Sequence, residues 1–227
     1  VRHALTLGEI VAWRAKTQGF TPAQVEIVPV AELDKTLHAP DWHRPFVMPS
    51  PNMPTYETAL VYPGGCLIEG TNLSEGRGTT RPFEMLGAPW IDGAKLAHDF
   101  TALDFQGVKV RPITFRPTFQ KHAKELCGGV FVHVTDRQTF RPVATYVALL
   151  ALMHEQDREK FQFRTEAYEF VDDIPAIDLL TGDGEARALM ATGAPADEIA
   201  KTVATLRKGD AEIVRAAREA GEEHSVG

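Results

Sequence analysis

Apolar residues near the start of the chain recur at the spacing of one helix face, over residues 7–15. Thr6 and Glu9 stand three residues apart at the beginning of this stretch. That spacing is the pattern of a capping box, which satisfies the first free backbone N–H groups of a helix. Gly19 follows, and glycine commonly ends a helix because it adopts the left-handed conformation without steric cost. The pattern therefore predicts a first helix that ends at Gly19.

The rest of the chain shows both strand and helix patterns. Valines occupy every second position of residues 130–134, so they share one face of a strand, with Phe131 and His133 on the other face. Residues 143–153 are apolar on nearly all sides, and Pro142 suits the first position of a helix, which predicts a central buried helix. The predicted elements are strands at residues 25–30, 66–68, 108–115 and 130–134 and helices at residues 55–62, 92–103, 142–155, 196–206 and 210–220.

This order of elements indicates an α+β fold rather than a regular βαβ alternation. We expect a single domain with a small mixed sheet, the central buried helix, long loops rich in Pro and Gly, and a helical C-terminal tail. Eight of the 15 prolines lie between residues 40 and 89, where they break regular elements. Long irregular stretches inside a compact domain are usually functional.

Composition narrows the class of protein. The chain has 227 residues, 44% of them hydrophobic, and a net charge of −7, which excludes a disordered chain and argues against a nucleic-acid partner. No apolar run approaches the roughly 20 residues that a membrane-spanning helix needs. Two cysteines are too few for a disulfide scaffold, and the histidines lack the spacing of metal ligands, so neither a metal nor another cofactor is expected.

Side chains that could bind a ligand or take part in catalysis concentrate in one stretch, residues 69–84, which we call the polar loop. Glycines within it allow sharp turns and a close approach to a ligand, and its side chains donate or accept many hydrogen bonds. This density of hydrogen-bonding side chains favours a site for a polar ligand over a simple solvated loop. The polar loop carries three carboxylates, Glu69, Glu75 and Glu84, two guanidinium groups, Arg77 and Arg81, one amide, Asn72, and four hydroxyls, Thr71, Ser74, Thr79 and Thr80.

The charged residues of the polar loop admit more than one interpretation. Arg77 and Arg81 suit bidentate binding of a carboxylate or phosphate, or equally salt bridges with Glu75 or Glu84. The stretch lacks the Gly-Lys-Ser/Thr ending of a nucleotide phosphate loop. Paired carboxyl groups are typical of glycoside hydrolysis, for which the three glutamates are candidates, although each glutamate is as well explained by a structural hydrogen bond.

Two residues outside the polar loop are further candidates. His133 lies in an apolar strand, where a histidine serves either as a satisfied core residue or as part of a ligand site. Asn52 lies between prolines in residues 49–54, where it forms either a rigid pocket wall or a simple turn.

Several motifs together resemble one known family. They are residues 49–54 (PSPNMP), 57–64 (ETALVYPG), the polar loop, 87–92 (GAPWID), 116–119 (RPTF), 127–130 (CGGV) and 133–137 (HVTDR). On these motifs the chain is similar to the bacterial peptidoglycan exo-β-N-acetylmuramidases, formerly a domain of unknown function. Members remove terminal N-acetylmuramic acid from the non-reducing ends of peptidoglycan fragments during cell-wall turnover and recycling.

The resemblance implies a domain organisation. Members have an N-terminal Rossmann-like domain and a C-terminal α+β domain, with the active site in the cleft between them. Residues 1–227 resemble the C-terminal domain, with a core of residues 1–170 and a helical tail of residues 171–227, and the Rossmann-like domain is expected as a missing partner. The resemblance thus implies that this chain alone is inactive or weakly active, and it favours a periplasmic or secreted location.

The resemblance also suggests roles for the candidates. Glu69 or Glu75 is expected to be catalytic, acting with a carboxylate of the Rossmann-like domain, and Arg77 or Arg81 is expected to pair with the lactyl carboxylate of muramic acid. The full set of expected substrate-binding residues is Asn52, Thr71, Asn72, Ser74, Arg77, Thr79, Thr80, Arg81, Glu84 and His133. A non-catalytic module that binds peptidoglycan or sugar, and a purely structural domain, remain alternatives.

Overall fold

A computed structural model describes residues 5–19, 26–31, 34–205 and 208–224 of the protein. The chain divides into two compact units, which we call the large unit (residues 46–205) and the small unit (residues 2–45 and 206–227). Helices and an antiparallel sheet make up the fold, so the predicted α+β class is confirmed.

In the small unit, helix α1 (Leu7–Gln18) packs against helix α8 (Lys208–His224). The predicted capping box at the start of α1 is confirmed, because the Glu9 N–H donates to Thr6 Oγ1 and the Thr6 N–H donates to Glu9 Oε2. Gly19 ends the helix in the left-handed conformation, as predicted. A 3₁₀ helix at Ala39–Trp42 completes the elements that the structure describes here.

The strand predicted at residues 25–30 is not found in the described part of that range. Residues 26–30 are irregular apart from an isolated bridge position at Ile27, and Val25 lies outside the described residues.

The large unit contains the sheet and most of the helices. The predicted helices and strands at residues 55–62, 92–103, 108–115, 130–134, 142–155 and 196–206 are all confirmed in type. Their observed bounds, with the elements that complete the unit, are α2 (Tyr56–Gly65), a 3₁₀ helix (Cys66–Gly70), β1 (Met85–Ala88), α3 (Gly93–Ala102), β2 (Val108–Phe115), β3 (Cys127–Val134), α4 (Pro142–Gln156), α5 (Ala176–Thr181), α6 (Glu185–Thr192) and α7 (Ala196–Ala204).

The sheet has the order β1-β3-β2, and both pairings are antiparallel, so the prediction of a mixed sheet is wrong. The loop between β2 and β3 reverses the chain directly, which gives an antiparallel pair. The crossover through α3 makes β1 and β2 run the same way, yet β3 lies between them and they do not pair. One face of this sheet packs on α3.

Helix α4 is the centre of the large unit, as predicted. Pro142 occupies its first turn, and all residues from 145 to 153 are buried. The helix contacts α2, α3 and α7, which bury its sides, and the Tyr146 hydroxyl donates to the Phe83 carbonyl oxygen. This buried hydrogen bond ties the end of the polar loop to the core.

The apolar triplet at residues 66–68 is a 3₁₀ helix, so the strand predicted there is wrong. The triplet follows α2 without a break, and Leu67 and Ile68 are both buried although they are neighbours in sequence. A short apolar run fits either a buried strand or a buried helical turn, so the pattern alone could not separate the two.

Candidate functional site

The polar loop connects the 3₁₀ helix at Cys66–Gly70 to β1. Gly76 and Gly78 have φ angles of 73° and 77°, a conformation that favours glycine. A Cβ atom on Gly78 would clash with Thr118 Oγ1, so the loop also approaches its neighbour closely at this point. The polar loop is thus a tightly folded segment rather than a solvated one.

Arg77 joins two of the predicted carboxylates. Its Nη2 lies 2.8 Å from Glu69 Oε1, and its Nε lies 2.7 Å from Glu75 Oε1. The guanidinium also lies over the Phe83 ring, 5.1 Å from its centre. Of the two interpretations that the sequence left open, the salt bridge is the one that the structure shows for Arg77.

Lys121 completes this cluster, and no motif in the sequence indicated its role. Its Nζ lies 2.9 Å from Glu75 Oε2 in an ion pair, and it donates to the carbonyl oxygens of Ile68 and Thr71 at 3.0 Å each. Burial lowers the pKa of the Lys121 ammonium, and the Glu75 charge opposes that shift. Two cations therefore balance two carboxylates in one cluster.

The two carboxylates of this cluster differ in accessibility. The Glu75 side chain is 2% exposed, whereas that of Glu69 is 16% exposed. The second oxygen of Glu69 accepts a hydrogen bond from the Tyr168 hydroxyl at 3.1 Å. Burial, and then the Glu69 charge, raise the pKa of Tyr168, so its hydroxyl stays a donor. Glu69 is therefore the more accessible carboxylate of this cluster.

Arg81 and Glu84 form a separate pair. Arg81 donates through Nε and Nη2 to the two Glu84 oxygens at 2.9 and 2.6 Å. Thr58 Oγ1 also donates to Glu84 Oε1 at 2.6 Å, and Glu84 is buried. Glu84 therefore anchors Arg81 to α2.

Most hydroxyl groups of the polar loop form hydrogen bonds with backbone groups of the loop or of the residue that precedes it. Thr71 Oγ1 donates to the Ile68 carbonyl oxygen, Ser74 Oγ accepts from the Gly76 N–H, and Thr79 Oγ1 donates to the Gly76 carbonyl oxygen. Thr80 differs from these three, because it is exposed.

The two amide candidates have different surroundings. Asn72 holds the segment after α4, because its Nδ2 donates to the Lys160 carbonyl oxygen and its Oδ1 accepts from the Gln162 N–H. Asn52 lies in a turn in which its backbone N–H donates to Ser50 Oγ at 3.3 Å. The turn that the sequence offered as one interpretation of Asn52 is what the structure shows.

His133 is exposed and lies on the face of β3 that carries Phe131, so it is not a core residue. Its ring stacks on Phe131 with 4.4 Å between ring centres, and its Nε2 accepts a hydrogen bond from Arg111 Nε at 3.1 Å. Burial, and then the charge of Arg111, lower the pKa of His133.

The loop between β2 and β3, residues 116–126, holds the polar loop in place, and we call it the clamp. Besides the contacts of Lys121, Thr118 Oγ1 donates to the Gly78 carbonyl oxygen at 3.0 Å, and the His122 ring bonds the Asn72 carbonyl oxygen at 2.8 Å. Gln120, His122 and Lys124 have positive φ angles, a strained conformation that often marks functional segments.

The described residues contain no group of three or more His, Cys, Asp or Glu side chains placed to bind a metal ion. In the same part of the chain, no helix has the length and apolar character that crossing a bilayer requires.

Family models match nearly the whole chain. The model for the C-terminal part of the exo-β-N-acetylmuramidase NamZ matches residues 60–208, which include the polar loop and the clamp. The model for the N-terminal part of NamZ matches residues 1–57. The division into a core and a tail at residue 170 stays a prediction.

One curated relative is the peptidoglycan β-N-acetylmuramidase NamZ of Bacillus subtilis (strain 168). It is 38% identical over 199 residues, which make up 88% of this chain and 46% of the relative. The chain thus spans about half the length of the curated relative that it matches.

Two solved structures share the fold, and both are DUF1343 family proteins of Bacteroides fragilis NCTC 9343. The first has a TM-score of 0.65 at 20% identity and is matched over 98% of this chain and 56% of its own. The second has a TM-score of 0.63 at 25% identity, over 96% of this chain and 54% of its own. Because the C-terminal model matches residues 60–208, more than half of the chain, the chain belongs to the NamZ exo-β-N-acetylmuramidase family.

Proposed function

We propose that this chain is part of a glycoside hydrolase that releases terminal N-acetylmuramic acid from the non-reducing ends of peptidoglycan fragments in cell-wall turnover. Its family and the name of the Bacillus relative support this proposal. This chain covers 46% of the length of that relative, and its residues 1–57 match the N-terminal NamZ model. We therefore propose the activity for this chain acting with the rest of an N-terminal NamZ domain of Rossmann-like fold.

Glycoside hydrolysis proceeds through a transition state with positive charge at the anomeric carbon, and two carboxyl groups usually serve it. We assign to Glu69 the stabilisation of that charge. A carboxylate of the N-terminal domain supplies the second group, which transfers the proton between water and the leaving-group oxygen. As the glycosidic bond breaks, its oxygen leaves with the remaining glycan and takes the proton, and the water oxygen that gave up this proton bonds to the anomeric carbon.

The partners and the partial exposure of the Glu69 carboxylate support this assignment. Its carboxylate is held between Arg77 and Tyr168 and is still partly exposed. Fixed partners on both oxygens orient the group before substrate arrives, which is how preorganised electrostatic stabilisation works. Glu75, buried between Arg77 and Lys121, suits the role of a positioning residue that fixes Arg77.

A hybrid enzyme tests the proposal. The 199-residue segment of the Bacillus relative that matches this chain is replaced by the corresponding segment of this chain, and turnover of a chromogenic β-N-acetylmuramide is measured. We expect activity in the hybrid. Glu69→Gln in the hybrid should lower kcat by about 100-fold or more, as expected for a carboxylate that stabilises the transition state.

Glu166→Gln is the matched control, because Glu166 is an exposed glutamate in the segment that also carries Tyr168. It should leave kcat unchanged. A folded hybrid without turnover would overturn the proposed activity, and an active hybrid in which Glu69→Gln keeps its kcat would overturn the role of Glu69.

A non-catalytic sugar-binding module is a second candidate. It is favoured by the fact that all three carboxylates of the polar loop are ion-paired with cations of the protein, Glu69 and Glu75 with Arg77 and Glu84 with Arg81. Binding of N-acetylmuramic acid by the folded hybrid without any hydrolysis would select this function.

The substrate of the proposed reaction is cell-wall material, so we also propose a periplasmic or secreted location. Fractionation of the producing cells, with immunodetection of this chain, tests it.

A further inference from the structure

Basic side chains surround one aromatic ring on the face of the sheet that carries Phe131. The strand register places Arg111 of β2 and Met85 of β1 on either side of Phe131 in β3. The guanidinium carbon of Arg111 lies 5.1 Å from the centre of the Phe131 ring, and that of Arg81 lies 5.9 Å from it. The His133 ring stacks on the same ring. Three basic side chains thus converge on one spot of a chain whose net charge is −7.

The two arginines differ in their partners. Arg81 is held bidentately by the buried Glu84, with Glu57 as a further negative charge on its side. Arg111 is exposed, and its hydrogen bond goes to the His133 ring. In the part of the chain that the structure describes, no carboxylate lies within ion-pair distance of Arg111. The positive charge of Arg111 is therefore available to an anion.

The charges around His133 also indicate a local excess of positive charge. Burial lowers its pKa, and so do the positive charges of Arg111 and, more weakly, Arg81, against the opposing charge of Glu84. A histidine whose pKa falls because of neighbouring cations reports a local excess of positive charge. An anion placed beside Arg111 and His133 would relieve that excess.

We propose that Arg111, with Arg81 and His133, binds the carboxylate of the glycan ligand, so that this face of the sheet selects an acidic sugar over a neutral one. The identity of the sugar rests on the proposed function. The carboxylate comes either from the lactyl group of N-acetylmuramic acid or from a peptide attached to it. Arg77 is less suited to this task, because two carboxylates and the Phe83 ring already surround it.

Ligand titrations of the isotope-labelled 227-residue chain, followed by NMR signals of the arginine and histidine side chains, test this proposal. The probes are N-acetylmuramic acid, N-acetylglucosamine as the sugar without a lactyl group, D-lactate, and N-acetylmuramyl dipeptide, whose lactyl carboxylate is blocked by the peptide. We expect N-acetylmuramic acid to shift the Arg111 and His133 signals and N-acetylglucosamine to leave them unchanged.

Substitutions of Arg111 supply the second readout. Arg111→Met should weaken binding of the acidic ligand by about five- to tenfold, the range of one charge-assisted contact near the surface. Arg111→Glu should weaken it further through repulsion, and Arg111→Lys should keep part of it. Arg14→Met removes the same charge from an exposed position of the small unit and should change nothing. Melting curves of all variants show that they are folded.

The outcomes separate this proposal from the proposed function. Equal binding of N-acetylmuramic acid by wild type and Arg111→Glu, or no shift at Arg111 and His133 with any carboxylate, overturns the proposal even if the hybrid enzyme is active. Binding that depends on Arg111 supports it even if the hybrid is inactive. Preference for N-acetylmuramic acid identifies the lactyl group as the source, whereas binding of the dipeptide alone identifies the peptide carboxylate.

Discussion

At the scale of single residues, Lys121 links the clamp to the polar loop through Glu75 and the carbonyl oxygen of Thr71. Lys121→Met leaves Glu75 with one cation and leaves a buried oxygen without a charge partner. Breaking such a pair on one side is costly, so we expect the free energy of unfolding to fall by about 2–3 kcal/mol. Urea denaturation measures this loss.

A second substitution checks the cause of that loss. Glu75→Gln in the Lys121→Met background should recover part of the stability, because the uncompensated charge is gone. Lys124→Met, at an exposed position of the same clamp, is the control and should be neutral. Equal urea midpoints for Lys121→Met and wild type would show that the ion pair does not support the loop.

The residues of the candidate site differ in how far the sequence predicts their contacts. Arg81 and Glu84 are three positions apart, and their pairing was one of the two interpretations that the spacing allowed. Lys121, Tyr168 and Arg111 reach the site from distant strands and loops, so their roles depend on the tertiary fold. Nothing in the sequence next to these three residues indicates that they meet the polar loop or His133.

At the scale of elements, His154 of helix α4 makes the stability of the protein depend on pH. Burial against the aromatic ring of Phe161, and then the charge of Arg158, lower the pKa of His154 below its ordinary value of 6.5. The unfolded chain therefore binds a proton at a higher pH than the folded chain does. The contribution of neutral His154 to stability is therefore fully present above about pH 6.5 and decreases as the pH falls below that value, because protons favour the unfolded state.

Melting temperatures at pH 7.5 and pH 5.5 test this dependence. His154→Gln should reduce the loss of melting temperature between the two values. His98→Gln, at an exposed position of α3, should leave that loss unchanged. If wild type and His154→Gln lose equal stability on acidification, His154 is not the group responsible.

Elements with a long apolar run or a clear alternation were predictable, and those with neither were not. The apolar run of α4 has no period, but its length and Pro142 at its start indicate a helix, and the alternation in β3 indicates a strand. The triplet at residues 66–68 is too short to show a period, and β1, at Met85–Ala88, is a four-residue strand with small residues and little alternation. Contacts with β3 decide the conformation of β1.

At the scale of the whole molecule, the two units differ in the kind of packing that holds each together. The large unit surrounds α4 with large apolar side chains such as Leu149, which is fully buried. In the small unit, the buried positions that the structure describes in α1 and α8 are all small residues, namely Ala12, Ala15, Ala217, Ala220 and Gly221. Small residues let two helices approach closely, so the helix pair of the small unit is sensitive to added volume and the large unit is sensitive to lost volume.

Two substitutions therefore act on different units. Leu149→Ala should lower the stability of the large unit by about 3 kcal/mol, and Ala12→Leu should lower that of the small unit by about 1–3 kcal/mol through overpacking. Hydrogen exchange, read separately for peptides from α1 and α4, measures each effect. We expect Leu149→Ala to speed exchange mainly in α4 and Ala12→Leu to speed it mainly in α1. Equal acceleration of both helices by either substitution would show that the chain unfolds as one cooperative unit, because a single transition opens all of its amides together.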